Sequence, residues 1–340
     1  MRVCDRRAFL AGIAAGGAGL ALAGPVRAQE TRFFRVASGP SESSMFQVAS
    51  LIGQTVSSPP GARECARGGT CGVPGMIVVN QTTAGSLANI DLVAAGRIDS
   101  ALCQADLAYW AFHGTGPFAR RGALANLRAI ANLYPESVHL VVRKAANVRG
   151  VADLKGKKVS LDEPGSGTLV NARAILGAYG LGDRDVVPEF LKPNQAAEKM
   201  KDGSVDAFFF TGGFPAAAIS ELASTGSGID ILPITGAGAE KLVKDFPFFS
   251  ADEIPAGTYK DVGAVKTVAV GAHWVTSSKI SAATVYAVTK ALWSDKTRAA
   301  LDAGHAKGKS IQKATALSGL LGVPLHEGAA RFYKEAGLMT

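Results

Sequence analysis

A nine-residue pattern that occurs twice constrains this chain more than any other feature. Gly96-Arg97-Ile98-Asp99-Ser100-Ala101-Leu102-Cys103-Gln104 and Gly203-Ser204-Val205-Asp206-Ala207-Phe208-Phe209-Phe210-Thr211 share one order: Gly, a free position, a branched apolar residue, Asp, a small residue, three apolar residues, a polar one. A short apolar run bounded by turn residues predicts a buried strand. Each run follows a predicted helix, near 85–95 and 195–201, and precedes another that opens near Asp106 or Pro215.

A second echo lies upstream of each. Phe33–Ala37 reads as a strand, 38–44 as a loop, and Met45, Val48, Ala49, Ile52 and Val56 fall on one helical face. Lys158–Leu161 repeats the strand, 162–168 the loop, and Leu169, Ala172, Leu176 and Tyr179 the helical face, which Gly180 can end. Repeated strand–loop–helix units predict an α/β fold of two similar lobes, with parallel or mixed sheets flanked by helices. The first half carries an extra segment, from about Ser57 to Asn80, that holds Cys65 and Cys71. The β-rich runs Val138–Arg143 and Thr267–Val275 suit hinge strands, and 281–300 has a helical pattern that returns the tail to the first lobe. The expected division is 29–140 plus 272–340 for one lobe and 141–271 for the other.

The N-terminus reads as an export signal over residues 1–28. Arg6-Arg7 precedes a weakly apolar stretch without charge, and Val26-Arg27-Ala28 offers a cleavage site behind Ala28. A retained anchor needs about 20 strongly apolar residues. A periplasmic mature chain is expected. The formal charge of +8 falls by three when the four Arg and one Asp of that segment are removed, and no Lys/Arg block remains, so no nucleic-acid partner is expected. In an oxidising compartment Cys65 and Cys71 read as a local disulfide; the alternative, a metal pair, has no His or further Cys near in sequence. Cys103 reads as a buried thiol.

Ligands of open α/β sheets sit beyond the carboxyl ends of strands. Four loops qualify, and their candidate ligand-binding residues are Gly39, Ser43 and Ser44; Gln104 and Asp106; Gly165, Ser166, Gly167 and Thr168; and Gly212, Gly213 and Pro215. Rich in Gly, Ser and Thr and opening helices, they suit holding an anion better than breaking one. An ordinary turn with an N-cap, Thr168 among the caps, is the plain alternative. Catalytic patterns are missing: 163–168 is neither a nucleophile elbow nor a phosphate loop, and the five His lack metal-ligand spacing. No catalytic residue, metal or cofactor is expected.

Gln104-Ala105-Asp106-Leu107-Ala108-Tyr109-Trp110-Ala111-Phe112-His113-Gly114, Ala152–Lys157, 164–168, Phe246–Phe249 and 254–259 together resemble the TAXI family, the binding subunits of tripartite ATP-independent periplasmic (TRAP) transporters. The resemblance spans nearly the whole chain after the signal. It implies a two-lobed clamshell of the type II periplasmic-binding-protein class that captures a small carboxylate such as glutamate, 2-oxoglutarate or a dicarboxylate and delivers it to membrane permease subunits; a monomer is expected. One departure stands out: the family's first loop runs into Ser/Thr-Tyr-Tyr, whereas Ser44 here precedes Met45-Phe46. A sensing partner of a membrane signalling protein and a periplasmic enzyme of similar fold are the rival functions.

Overall fold

Two long strands organise the chain. A computed structural model describes residues 30–226 and 228–340; the expected export segment, with Ala28, lies outside the described residues. In order, the first part comprises β1 (Arg32–Ala37), α1 (Ser44–Val56), β2 (Ser57–Ser58), β3 (Val73–Pro74), β4 (Met76–Gln81), α2 (Ser86–Ala94), β5 (Ser100–Gln104), α3 (Ala105–His113) and β6 (Leu127–Arg143). There follow β7 (Lys158–Ser160), α4 (Gly167–Ala178), β8 (Val187–Glu189), α5 (Pro193–Lys201), β9 (Ala207–Gly212), α6 (Ala217–Ser224), β10 (Ile229–Leu232), α7 (Ala237–Asp245), β11 (Phe249–Ile254) and β12 (Val265–Ser277). Helices α8 (Ala282–Leu292), α9 (Asp295–Gly304) and α10 (Glu327–Glu335) close the chain.

The strand order β3-β2-β4-β1-β5-β12-β6-β9-β7-β8 contains the same arrangement twice. On one side β1 runs parallel to β5, which pairs antiparallel with β12; on the other, β7 runs parallel to β9, which pairs antiparallel with β6. The two echoed segments are therefore the equivalent strands β5 and β9. Strands β6 and β12 belong to both halves. Leu127–Ser137 of β6 faces β12, while its far end pairs with β9 and β10; β12 pairs with β11 at its start and with β5 at its end. The result is a mixed α/β fold of two lobes that share β6 and β12, its sheet flanked by helices.

Local chemistry explains the elements. In α1 the predicted face Met45, Val48, Ala49, Ile52 and Val56 is buried, and Ser43 caps the helix by accepting from Phe46 N at 3.2 Å. In α4 the buried apolar set is Leu169, Ala172, Ile175 and Leu176, and Tyr179, which is the C-cap residue, is partly buried against the same core. The tail departs from the single helical stretch expected over 281–300: it splits at Trp293, because Ser294 caps a new helix by accepting from Thr297 N at 3.3 Å. The runs read as hinge strands are parts of the longer β6 and β12. Cys65 and Cys71 are joined in a disulfide, and Cys103 is buried. Among the described residues no helix is long and apolar enough to cross a membrane.

Candidate functional site

The loops after β1, β5, β7 and β9 meet around one cavity between the halves. Its lining includes the opening residues of three helices: Ser43, Ser44 and Met45 of α1, Ser166, Gly167 and Thr168 of α4, and Ala216, Ala217, Ala218 and Ile219 of α6. The first N–H groups of a helix have no intrahelical partner and carry the positive end of its dipole. Three such ends on one cavity favour an anionic or carbonyl group. The volume open to water-sized spheres is about 60 Å³, equal to roughly 4–6 such spheres, which suits a compact ligand.

Of the residues expected at the site, Gly39, Ser43, Ser44, Gln104, Ser166, Gly167, Thr168 and Gly212 line this cavity. The other four stand just behind it. The Gly165 carbonyl accepts from Leu87 N and Ala88 N, both at 3.1 Å, and so caps α2, whose own cap residue Gly85 has no side chain to do so. Gly213 N donates to Ser44 Oγ at 2.8 Å. A Cβ on Gly213 would stand 2.9 Å from both Ser44 Cβ and Lys307 Cγ, so only glycine fits without a shift. Asp106 is turned into the protein and accepts from Asn171 Nδ2 at 2.7 Å. Pro215 follows Phe214, whose ring lies 3.5 Å from the Lys307 ammonium.

Thr168 is not the helix cap. Ser166 takes that role, accepting from Leu169 N at 3.1 Å, because it alone holds the extended backbone before the first helical residue. Thr168 Oγ1 instead accepts from Thr211 N at 3.1 Å and ties α4 to the end of β9.

The site also holds residues that the sequence reading missed. Glu136, in β6, is 2% exposed and lines the cavity. Its Oε1 accepts from Tyr134 Oη at 3.2 Å and Ser44 Oγ at 3.3 Å, and its Oε2 accepts from Gln104 Nε2 at 3.1 Å. Burial raises its pKa to about 7, although these donors and the charge of Lys307 pull the other way. Asp162 also lines the cavity, in a positive-φ conformation (φ 78°) rare for a residue with a side chain. Burial lifts it to about 7 as well, against hydrogen bonds from Glu163 N and the Thr168 and Ser166 side chains. Burial lowers the Lys307 pKa, and the nearby Asp252 and Glu136 partly restore it. One signal was readable: Glu136 is the single charge between Arg128 and Arg143, in an otherwise apolar and polar-neutral strand. Asp162 lay in the loop 162–168 but was not among the residues singled out there.

No His, Cys, Lys or Arg is among the described lining residues. Ser44 Oγ, the best-placed hydroxyl, is held by Gly213 N, Tyr134 and Glu136 at once. Histidine 139 lies outside the lining and is locked: its Nδ1 bonds the Ser137 carbonyl at 3.0 Å, and its Nε2 meets Tyr259 Oη at 3.0 Å, which also accepts from Ala216 N at 2.9 Å. Burial lowers its pKa to about 4, so it stays neutral. The arrangement can bind and orient a ligand, and among the described lining residues no His, Cys or Lys stands beside the hydroxyls.

The chain is similar at low identity to several solved structures. A structure from Bordetella bronchiseptica RB50 is 18% identical, with 90% of this chain and 82% of that one covered and a TM-score of 0.51. The alkanesulfonate-binding protein of Xanthomonas axonopodis pv. citri bound to MOPS is 16% identical over 92% of this chain and 95% of that one, with a TM-score of 0.46. An ancestral arginine-binding protein bound to arginine is 14% identical over 80% of this chain and 97% of that one, also at 0.46. The family profile of the NMT1-like family matches residues 37–337, and the chain belongs to that family.

Proposed function

We propose that this protein is an extracytoplasmic solute-binding receptor that captures a small carboxylate between its lobes and passes it to the permease subunits of a TRAP transporter. The observation that carries the reading is the convergence of the α1, α4 and α6 N-termini on one compact interlobe cavity. The ligand carboxylate sits on the α4 start, at Gly167 and Thr168, with the α1 start opposite. The lobes are residues 29–140 with 272–340 and residues 141–271, and the chain acts as a monomer in the periplasm after cleavage behind Ala28. The permease partner and the TAXI assignment rest on the sequence resemblance. The absence of a free nucleophile–base pair in the described lining favours a receptor over an enzyme.

The test is a thermal-shift and calorimetry screen of the mature protein against amino acids, dicarboxylates and 2-oxo acids. A carboxylate that raises the melting temperature by mass action and is recovered unchanged supports the reading. Turnover of the ligand, or a response only to compounds without a carboxylate, overturns it.

A further inference from the structure

Among the described residues, two polar atoms of the cavity wall are buried without a partner: Gln104 Oε1 and Thr211 Oγ1. Their residues are 2% and 6% exposed, and both line the cavity. The carboxamide of Gln104 cannot simply turn to satisfy itself. Its Nε2 is spent on Glu136 Oε2 at 3.1 Å, so the oxygen faces the other way. It faces the start of α4: a Cβ added to Gly167 would stand 1.9 Å from Oε1. The oxygen of one lobe thus lies against the first helical residue of the other. A buried acceptor left unmade is costly, and its unmet need selects what can fill the site.

We infer that the ligand presents a hydrogen-bond donor, a hydroxyl or amino group on the carbon beside its carboxylate, to Gln104 Oε1. This rests on the carboxylate reading above, because the α4 start holds the carboxylate. Oε1 lies against that same helix start, so the donor has to be within a bond or two of the carboxylate. The rest of the wall agrees. Glu136 holds Gln104 Nε2 and so keeps Oε1 as the free end of the carboxamide, and no described lining side chain is basic. A 2-oxo acid turns a carbonyl oxygen, an acceptor, toward Oε1, and an unsubstituted dicarboxylate turns a methylene there. Either leaves Oε1 without a donor. Gln104 is therefore the residue that discriminates at the 2-position, and Glu136 positions it.

The experiment is calorimetry of the mature protein with a matched set: glutarate, 2-oxoglutarate, 2-hydroxyglutarate and glutamate. These share the carbon chain and both carboxylates and differ only at the 2-position. The expected result is binding of 2-hydroxyglutarate or glutamate at least about tenfold tighter than of the other two, since sites built around a buried polar group reject analogues that leave it unpaired. In Gln104→Met, which removes the acceptor, the ratio should fall toward one. Equal or tighter binding of glutarate and 2-oxoglutarate by the native protein overturns the inference and leaves the receptor reading intact. Binding of none of the four by folded protein overturns the inference, and the broader carboxylate screen then decides the receptor reading. The native comparison decides the matter even where the Gln104 variant fails to fold.

Discussion

Asn171 Nδ2 donates to Asp106 Oδ2 at 2.7 Å, and both side chains are fully buried where α3 of one half meets α4 of the other. The two remaining oxygens of the pair, Asp106 Oδ1 and Asn171 Oδ1, are buried without a partner among the described residues. A proton on Asp106 Oδ1 gives this pair the donor it lacks. Burial raises Asp106 from 3.8 to about 7, with Glu136 and Asp162 lifted to about 7 for the same reason. Each group binds its proton more tightly in the folded chain than in the unfolded one, so each stabilises the fold most fully at acid pH. That contribution is lost as pH rises from about 4 through about 7. His139 and His273, lowered by burial to about 4, act in the opposite sense below about pH 6.5, where the unfolded chain binds their protons, so the melting temperature should be higher near pH 5 than near pH 8 by less than the three carboxyls alone would give. Asp106→Asn keeps the shape and removes the titration, so it should raise the melting temperature near pH 8 more than near pH 5. A flat profile in the native protein would show that these carboxyls are ionised in the fold.

Ser44 joins the halves through a backbone contact. Gly213 N donates to its Oγ at 2.8 Å, and the same oxygen reaches Glu136 Oε1 at 3.3 Å. Ser44→Ala leaves a buried N–H unpaired and Glu136 with one donor fewer. Stability should fall by roughly 1–3 kcal/mol, and ligand affinity should fall with it. Denaturant unfolding and calorimetry measure the two effects; an unchanged midpoint would mean that water replaces the hydroxyl.

The architecture was legible because it is written twice. Gly96–Gln104 and Gly203–Thr211 carry the same polarity pattern, and each became the strand, β5 or β9, whose carboxyl end opens on the cavity. Strand β6 was only half legible, since Pro135 and Glu136 interrupt its apolar run at the point where it passes from one half to the other. The glycine and hydroxyl loops could be seen as helix starts, because caps and turns are local. The acidic wall could not. Glu136 meets Gln104 only through the β6–β12–β5 pairing, and nothing near either residue in sequence announces that contact. Thr168 shows the same limit: its position suggested a cap, while its hydroxyl is used by Thr211, which a local reading cannot see.

The Cys65–Cys71 bridge closes a loop that precedes β3 at the edge of the sheet. Lys296 reaches the Gly69 carbonyl inside this loop, so the bridge also holds a contact with α9. Replacing both cysteines with serine should lower stability by about 2–3 kcal/mol in the chain-entropy model. Because the loop does not line the cavity, affinity should change little. Mass spectrometry of the non-reduced protein checks the bond, and denaturant unfolding of the double variant checks its worth. A loss of affinity larger than the loss of stability would give the loop a role in binding.

Gly167 offers the cleanest separation of folding from closure. It is the first residue of α4, outside the left-handed region, so alanine fits its backbone without strain. The obstacle to a side chain is not in its own lobe: the atoms nearest an added Cβ are Gln104 Oε1, Cδ and Nε2, at 1.9, 2.5 and 3.0 Å, all from across the cleft. These atoms end a flexible side chain, so what opposes closure is the cost of moving the Gln104 carboxamide off Glu136 Oε2; Gly167→Ala should fold with a normal circular dichroism spectrum and yet resist closure by that cost. Small-angle scattering should show an expanded particle that ligand fails to compact, and affinity should fall at least about tenfold, since a binding-competent state that is rarely populated lowers apparent affinity in proportion. Gln104→Ala removes the colliding atoms, so the double variant should recover compaction on adding ligand, although the lost Gln104 contacts keep its affinity low. That recovery distinguishes a steric block from general damage, because two unrelated defects would add. If Gly167→Ala alone compacts and binds as the native protein does, the two lobes do not approach at this point in the bound state, and the contact between Gln104 and α4 is not part of capture.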